Sequence, residues 1–105
     1  MDEVRVFRGR TNVLLLGLGM DTSDDTIVSE IRTEPHTTSL LIATWDVEPL
    51  TDGSDGEYVL TLDNSIVDAI QANTGYMDVN RISGGEPLAV FDGPLTVLFR
   101  GSVTA

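Results

Sequence analysis

The stretch SLLIATWDVEPLTDGSDGEYVLTL, residues 39–62, carries the strongest structural signal in this chain. In each half, every second residue is apolar, which is the period of a β-strand with one buried face. The inward positions are Leu41, Ala43, Trp45 and Val47 in the first half and Tyr58, Leu60 and Leu62 in the second. An Asp- and Gly-rich loop separates the halves, as is typical of turns between strands. The stretch therefore predicts two strands of a sandwich, with Trp45 as an anchor of the core.

Short β-forming runs continue on both sides, separated by clusters of Gly, Pro, Asp and Asn. The predicted strands cover residues 4–8, 11–18, 26–32, 39–47, 58–62, 76–82, 88–91 and 95–99. The run 11–18 is apolar through most of its centre, which is typical of a strand covered on both faces. The pattern predicts an all-β, immunoglobulin-like sandwich of two antiparallel sheets, with about seven strands in one domain over residues 1–105.

One short helix is predicted at about residues 65–73. Ser65 and Asp68 fit a capping box, in which the serine oxygen accepts an early backbone N–H and the acid reaches back. A short apolar stripe follows, made by Ile66, Val67 and Ile70. We expect this helix to cover one end of the sandwich.

The composition excludes several classes of protein. The formal net charge is -11, and all basic residues are arginine. Such a charge repels nucleic acid and anionic lipid, so we expect neither a nucleic-acid nor a membrane partner. The chain contains no cysteine, which excludes disulfides and thiolate metal sites. No apolar run approaches the ~20 residues of a membrane span, and we see no targeting segment.

The chain offers little for catalysis. It has neither cysteine nor lysine, and its single histidine, His36, follows Pro35 in a predicted turn, where an exposed side chain is the usual outcome. A carboxylate pair of the glycosidase type stays open, although no acid lies in a recognisable motif. We therefore expect a protein that is not an enzyme, with no catalytic residues and no cofactor.

Acidic loops provide the only metal candidates. Asp52, Asp55 and Glu57 lie in a glycine-rich loop whose composition fits weak calcium binding. A second acidic cluster spans residues 21–25. Neither matches the calcium-loop pattern, and Asp-Gly pairs are also common turn residues. The main interpretation is solvated turns and no metal site, with calcium as the alternative.

Arg5, Arg8 and Arg10 form a basic cluster near the start of the chain. If the strand alternation continues through them, two share a face and could pair with acids of a neighbouring subunit. The alternative is an edge strand kept soluble by its charges.

The order of these elements resembles the N-terminal domain of the baseplate upper protein family of tailed bacteriophages and prophages. The resemblance runs over residues 7–104. The segments that carry it are FRGRT at 7–11, TIVSEIR at 26–32, TDGSDGEYVLTL at 51–62, GYMDV at 75–79, Gly84-Gly85, GPLTV at 93–97 and GSVT at 101–104. The usual Asp-Leu-Thr-Gly-Ala segment is replaced by residues 19–25. The resemblance offers no catalytic residues and implies a virion part.

The function expected from these features is that of a non-enzymatic structural protein of the virion, in the tail, tail tip or baseplate. It would dock to other virion proteins as a homo-oligomer or in a hetero-assembly, and would occupy the host cytoplasm during assembly. One alternative is an acidic, phage-encoded inhibitor or DNA mimic that binds a basic protein. Another is a small carbohydrate-binding module, although such modules expose several aromatic rings.

Overall fold

Two β-sheets packed face to face form the computed structural model, which describes residues 3–36, 38–90 and 93–101. The strands are β1 (Glu3–Phe7), β2 (Asn12–Gly17), β3 (Thr26–Arg32), β4 (Leu41–Thr44), β5 (Asp46–Pro49), β6 (Glu57–Leu62), β7 (Thr74–Ser83), β8 (Glu86–Ala89) and β9 (Leu95–Arg100). The all-β sandwich is confirmed. These residues hold nine strands where about seven were predicted. The predicted strand 88–91 begins two residues earlier, at Glu86, and its last residue, Phe91, lies outside the described residues.

The larger sheet has the order β1-β9-β7-β3-β4, with β8 also paired to β7, and the smaller sheet has the order β2-β6-β5. The predicted antiparallel arrangement holds except for β1, which pairs with β9 in parallel. These are the first and last strands of the chain. Because the whole domain lies between them, no hairpin fixes their relative direction.

The predicted strand 39–47 divides in two at Trp45, where the chain passes from one sheet to the other. The N–H of Trp45 donates to Ser29 of the larger sheet over 2.9 Å, and Asp46 then pairs with Thr61 of the smaller sheet. Trp45 is 3% exposed, as expected of a core anchor. Leu41, predicted to face inward, is exposed instead, because β4 shifts its register against β3 at that end.

The remaining inward positions follow the predicted alternation. Three strands bury every second side chain between the sheets: Ile27 and Ile31 in β3, Tyr58, Leu60 and Leu62 in β6, and Leu95, Val97 and Phe99 in β9. Fully burying an aliphatic or aromatic side chain contributes roughly 1.5–3 kcal/mol, so these positions supply a large part of the driving force for packing the two sheets.

The helix α1 covers Asn64–Asp68 and is shorter than the predicted 65–73. Its N-cap is Asp63, because the carboxylate of Asp63 accepts the backbone N–H of Ser65 at 3.1 Å and its hydroxyl at 2.5 Å. The predicted capping box at Ser65 is therefore wrong. The Asp68 carboxylate accepts the N–H of Gly9 instead of reaching back. Val67 is fully buried, so α1 does close one end of the sandwich.

Candidate docking surface

β2 is covered on one face only, so the prediction that both its faces are buried is wrong. Leu14 and Leu16 pack against the core. Val13 and Leu15 point the other way and are 56% and 78% exposed. The smaller sheet has no layer over its outer side among the described residues. The apolar run therefore reflects one core face and one apolar surface.

On the outer face of the smaller sheet, the outward side chains of each strand form one column along that strand. The residues of this outer face are Val13, Leu15 and Gly17 from β2, Thr61, Val59 and Glu57 from β6, and Asp46, Glu48 and Leu50 along β5 and just after it. The column on β2 carries no charge, whereas the column on β5 begins with two acids. The register sets Leu15 beside Val59 and Val59 beside Glu48. The surface therefore changes from apolar to acidic over two strand spacings, roughly 10 Å.

β2 also forms one edge of the smaller sheet. The N–H of Leu18 donates to Gly56 at 2.9 Å, which sets the direction of the ladder between β2 and β6. Backbone groups alternate in an antiparallel pair, so those of Leu14 and Leu16 face β6. The N–H and C=O groups of Val13, Leu15 and Gly17 then point away from the sheet. This edge can accept a further strand.

The other edges carry the features that normally prevent strand addition. β1 displays the charges of Glu3 and Arg5, β5 ends in Pro49, and β8 contains Pro87. β4 is four residues long and irregular in register. β2 is six residues long, with neither charge nor proline. Among the described edges, only β2 lacks these features, so it is the edge best suited to pair with another strand.

The two acidic loops are joined at the end of β2 by a buried hydroxyl pair. Thr22 is 1% exposed, and its hydroxyl lies 2.5 Å from the Tyr58 hydroxyl and donates to Gly53 at 3.0 Å. The Thr22 N–H also donates to Gly53. The loop after β2 is thereby fixed against the loop before β6, although Thr22 and Gly53 are 31 residues apart in the chain.

Two of the three calcium candidates, Asp52 and Asp55, accept hydrogen bonds within their own turn, and the third, Glu57, begins β6. Asp52 accepts the N–H and hydroxyl of Ser54 at 2.9 and 2.6 Å. Asp55 accepts the Thr51 hydroxyl and the N–H of Glu57. No three acidic or histidine side chains come together to hold a metal ion in the part of the chain described.

The same turn chemistry recurs at three Asp-x-Ser sequences, a repetition that is visible in the sequence but was not predicted to matter. Asp21 and Ser23, Asp52 and Ser54, and Asp63 and Ser65 each share hydrogen bonds from the serine N–H and hydroxyl to the carboxylate. These bonds hold the pKa of all three carboxyl groups below the usual range of aspartate. Part of the negative charge therefore serves to form turns.

The three N-terminal arginines have different partners. Arg5 pairs with Glu3 at 3.3 Å on the surface of β1. Arg8 donates to backbone carbonyls in the segment after α1. The guanidinium of Arg10 lies 5.8 Å from the ring centre of Phe7. Arg8 therefore holds the fold together, and the interface role of the other two stays a prediction.

A groove of about 230 Å³ lies on the outer face of the larger sheet. Glu30 and Asp78 stand opposite each other in its floor, on β3 and β7. Arg32 binds the Glu30 carboxylate at 2.9 Å. His36 lines the rim, is exposed as predicted, and its Nδ1 lies 3.0 Å from the Thr38 hydroxyl. Among the described residues, the imidazole is therefore hydrogen-bonded to a hydroxyl and to no carboxylate.

No protein-family model matches the chain, and no curated protein matches it. Among the described residues, no helix is long and apolar enough to span a membrane.

Proposed function

We propose that the chain is a non-enzymatic structural protein of a tailed-phage virion that docks to neighbouring subunits through β2. The tail, tail tip or baseplate is the location implied by the family resemblance. The observation that carries the docking role is the outer edge of β2, which pairs with no further strand among the described residues and has Val13 and Leu15 exposed beside it.

The physical basis is strand addition. An incoming strand would satisfy the backbone groups of Val13, Leu15 and Gly17 that face away from β6. It would also shield part of the two apolar side chains, and burial stabilises by roughly 25 cal/mol for each Å² removed from water. Main-chain pairing supplies affinity, and the side chains on alternate positions supply the choice of partner.

The alternative of an acidic inhibitor is supported by Asp46 and Glu48, which lie on the same face, with Asp46 exposed at the start of β5. It is weakened by the turn bonds that engage Asp21, Asp52 and Asp63. An inhibitor would bind a basic protein more weakly as salt rises and would be absent from finished particles. For a carbohydrate module the support is smaller, because Trp45, Tyr58 and Phe99 are all buried.

Mass spectrometry of purified particles tests the proposal, using phage that carry the wild-type gene or a variant. Leu15→Lys places a charge on the docking edge. Thr61→Lys is the matched control, because it lies on the same face one strand inward and beside Asp46. We expect wild type and Thr61→Lys in the particles and at least a tenfold loss of Leu15→Lys. Particles without the wild-type chain, or with folded Leu15→Lys at the wild-type level, would contradict the proposal.

A further inference from the structure

We infer that the strand added to β2 is β2 of a second copy of this chain, antiparallel about a two-fold axis at Leu14. The inference deepens the proposed function, because it rests on β2 being a docking edge and names the occupant. The result would be one continuous six-stranded sheet, β5-β6-β2 followed by the same strands of the second copy in reverse order.

The side chains support this register. In an antiparallel pair, residues directly opposite each other point to the same face. An axis at Leu14 sets Val13 against Leu15 of the partner subunit, and Leu15 against the partner's Val13. The four exposed apolar side chains then meet on the outer face. An axis at Leu15 would set Val13 against Gly17 of the partner subunit, which has no side chain to cover it.

The backbone supports the same register. Val13 and Leu15 both direct their N–H and C=O groups away from β6, as the ladder alternation requires. Set opposite each other, they exchange two hydrogen bonds, and the two-fold axis repeats this pair. Leu14 meets Leu14 of the partner subunit in a non-hydrogen-bonded pair, whose Cα atoms lie about 4.5 Å apart.

The charge distribution favours a second copy over a basic foreign strand. β2 itself has no acid to attract a basic segment. The chain just before β2 contains Arg10, and the loop after it contains Asp21. With the axis at Leu14, Arg10 of one copy and Asp21 of the other lie towards the same end of the two paired β2 strands, so their opposite charges attract.

The net charge of -11 does not prevent the pairing. Two of the three acids of the outer face, Asp46 and Glu48, lie on β5, at the far side of each smaller sheet, and Glu57 lies on β6 beside Gly17. In the paired sheet the two β5 strands are five spacings apart, about 24 Å, and the two Glu57 residues, three spacings across the sheet and six residues along it, are about 25 Å apart. Both separations exceed the Debye length of about 8 Å at physiological ionic strength, so these charges are screened from each other.

Single cysteines test the pairing directly, because the natural chain has none. Leu14→Cys, Val13→Cys and Leu15→Cys are each oxidised as the full chain and examined on non-reducing gels, with circular dichroism to check folding. Leu14→Cys should form a covalent dimer, because its Cα separation suits a disulfide. The matched Val13→Cys and Leu15→Cys should not, because same-residue separations there are about 8 Å.

Val13→Pro provides a second test that needs no cysteine. The substitution removes the Val13 N–H, which faces the partner subunit, and it breaks no hydrogen bond to β6. Proline is tolerated on such an edge. Sedimentation should show wild type and Thr61→Lys as dimers and Val13→Pro at least tenfold weaker in dimerisation. A wild type that stays monomeric up to millimolar concentration overturns the inference, and so does cross-linking at position 15 but not 14.

The two proposals fail in distinguishable ways. If the chain stays monomeric but virions still incorporate it and reject Leu15→Lys, the proposed function stands with a foreign strand in the site, and the inference of a second copy is overturned. If the chain dimerises but is absent from virions, the dimer stands and the proposed function fails.

Discussion

Arg8 donates to the carbonyl of Ala72 over 2.7 Å and to that of Ile70 over 3.3 Å. These carbonyls follow the last turn of α1, where backbone acceptors have no helical partner. The N–H of Gly9 donates to Asp68 in the same region. The turn between β1 and β2 is therefore clamped to the end of the sandwich closed by α1.

Arg8→Ala should lower the free energy of unfolding by about 1.5–3 kcal/mol, because hydrogen bonds to a charged group are lost and partly buried carbonyls lose their donor. Urea denaturation measures the change. Arg5→Ala is the matched control and should cost less than about 0.5 kcal/mol, because its ion pair is exposed. Equal losses for the two variants would refute the clamp.

Trp45 buries its indole N–H without a hydrogen-bond partner among the described residues. Trp45→Phe should therefore cost little, less than about 1.5 kcal/mol, because the smaller ring loses contact area but removes an unpaired donor. Trp45→Ala should cost about 3–5 kcal/mol through the cavity that it leaves. Thermal or urea unfolding of the pair compares the two effects. A Trp45→Phe loss as large as that of Trp45→Ala would mean that the N–H is bonded.

The cap of α1 predicts a pH effect. The Ser65 hydroxyl and N–H lower the pKa of Asp63 in the folded chain. A lowered folded pKa contributes stability above the pKa of unfolded aspartate, about 3.9, and this stability is lost as the pH falls through the folded value. Ser65→Ala should raise the pKa of Asp63 in a carboxyl-carbon NMR titration. Asp21 and Asp52, capped by their own serines, are internal controls and should not move.

Alternation in the sequence predicted most of the core because it reflects a physical constraint. A strand buried on one face needs an apolar residue at every second position, and β6 meets that need with Tyr58, Leu60 and Leu62. Turn residues marked most strand ends for similar reasons, since Gly and Asp accept conformations that other residues avoid.

Two features depended on long-range arrangement and were missed. The run in β2 is apolar on both faces, and only the position of the other sheet decides that Leu14 is covered and Leu15 is not. The crossing at Trp45 changes sheets inside an unbroken alternating pattern, because a strand keeps its period while its partners change from Ser29 to Thr61.

The candidate docking surface on β2 was not predicted from the sequence. Docking to neighbouring subunits was expected, but the predicted interface consisted of Arg5, Arg8 and Arg10, of which Arg8 is bonded within the fold. Exposed charge is visible in a sequence. The outward direction of the Val13 and Leu15 backbone groups depends on the ladder to β6, which a sequence does not show.

The rates of amide hydrogen exchange along β2 can be measured in the isolated chain at low concentration and in the chain in purified particles. Comparing the two states shows whether the edge of β2 is free or paired. In the isolated chain, the amides of Leu14 and Leu16 should be protected by β6, and those of Val13, Leu15 and Gly17 should exchange fast. In particles, all five should be protected. Fast exchange at Val13 and Leu15 in both states would contradict docking through this edge.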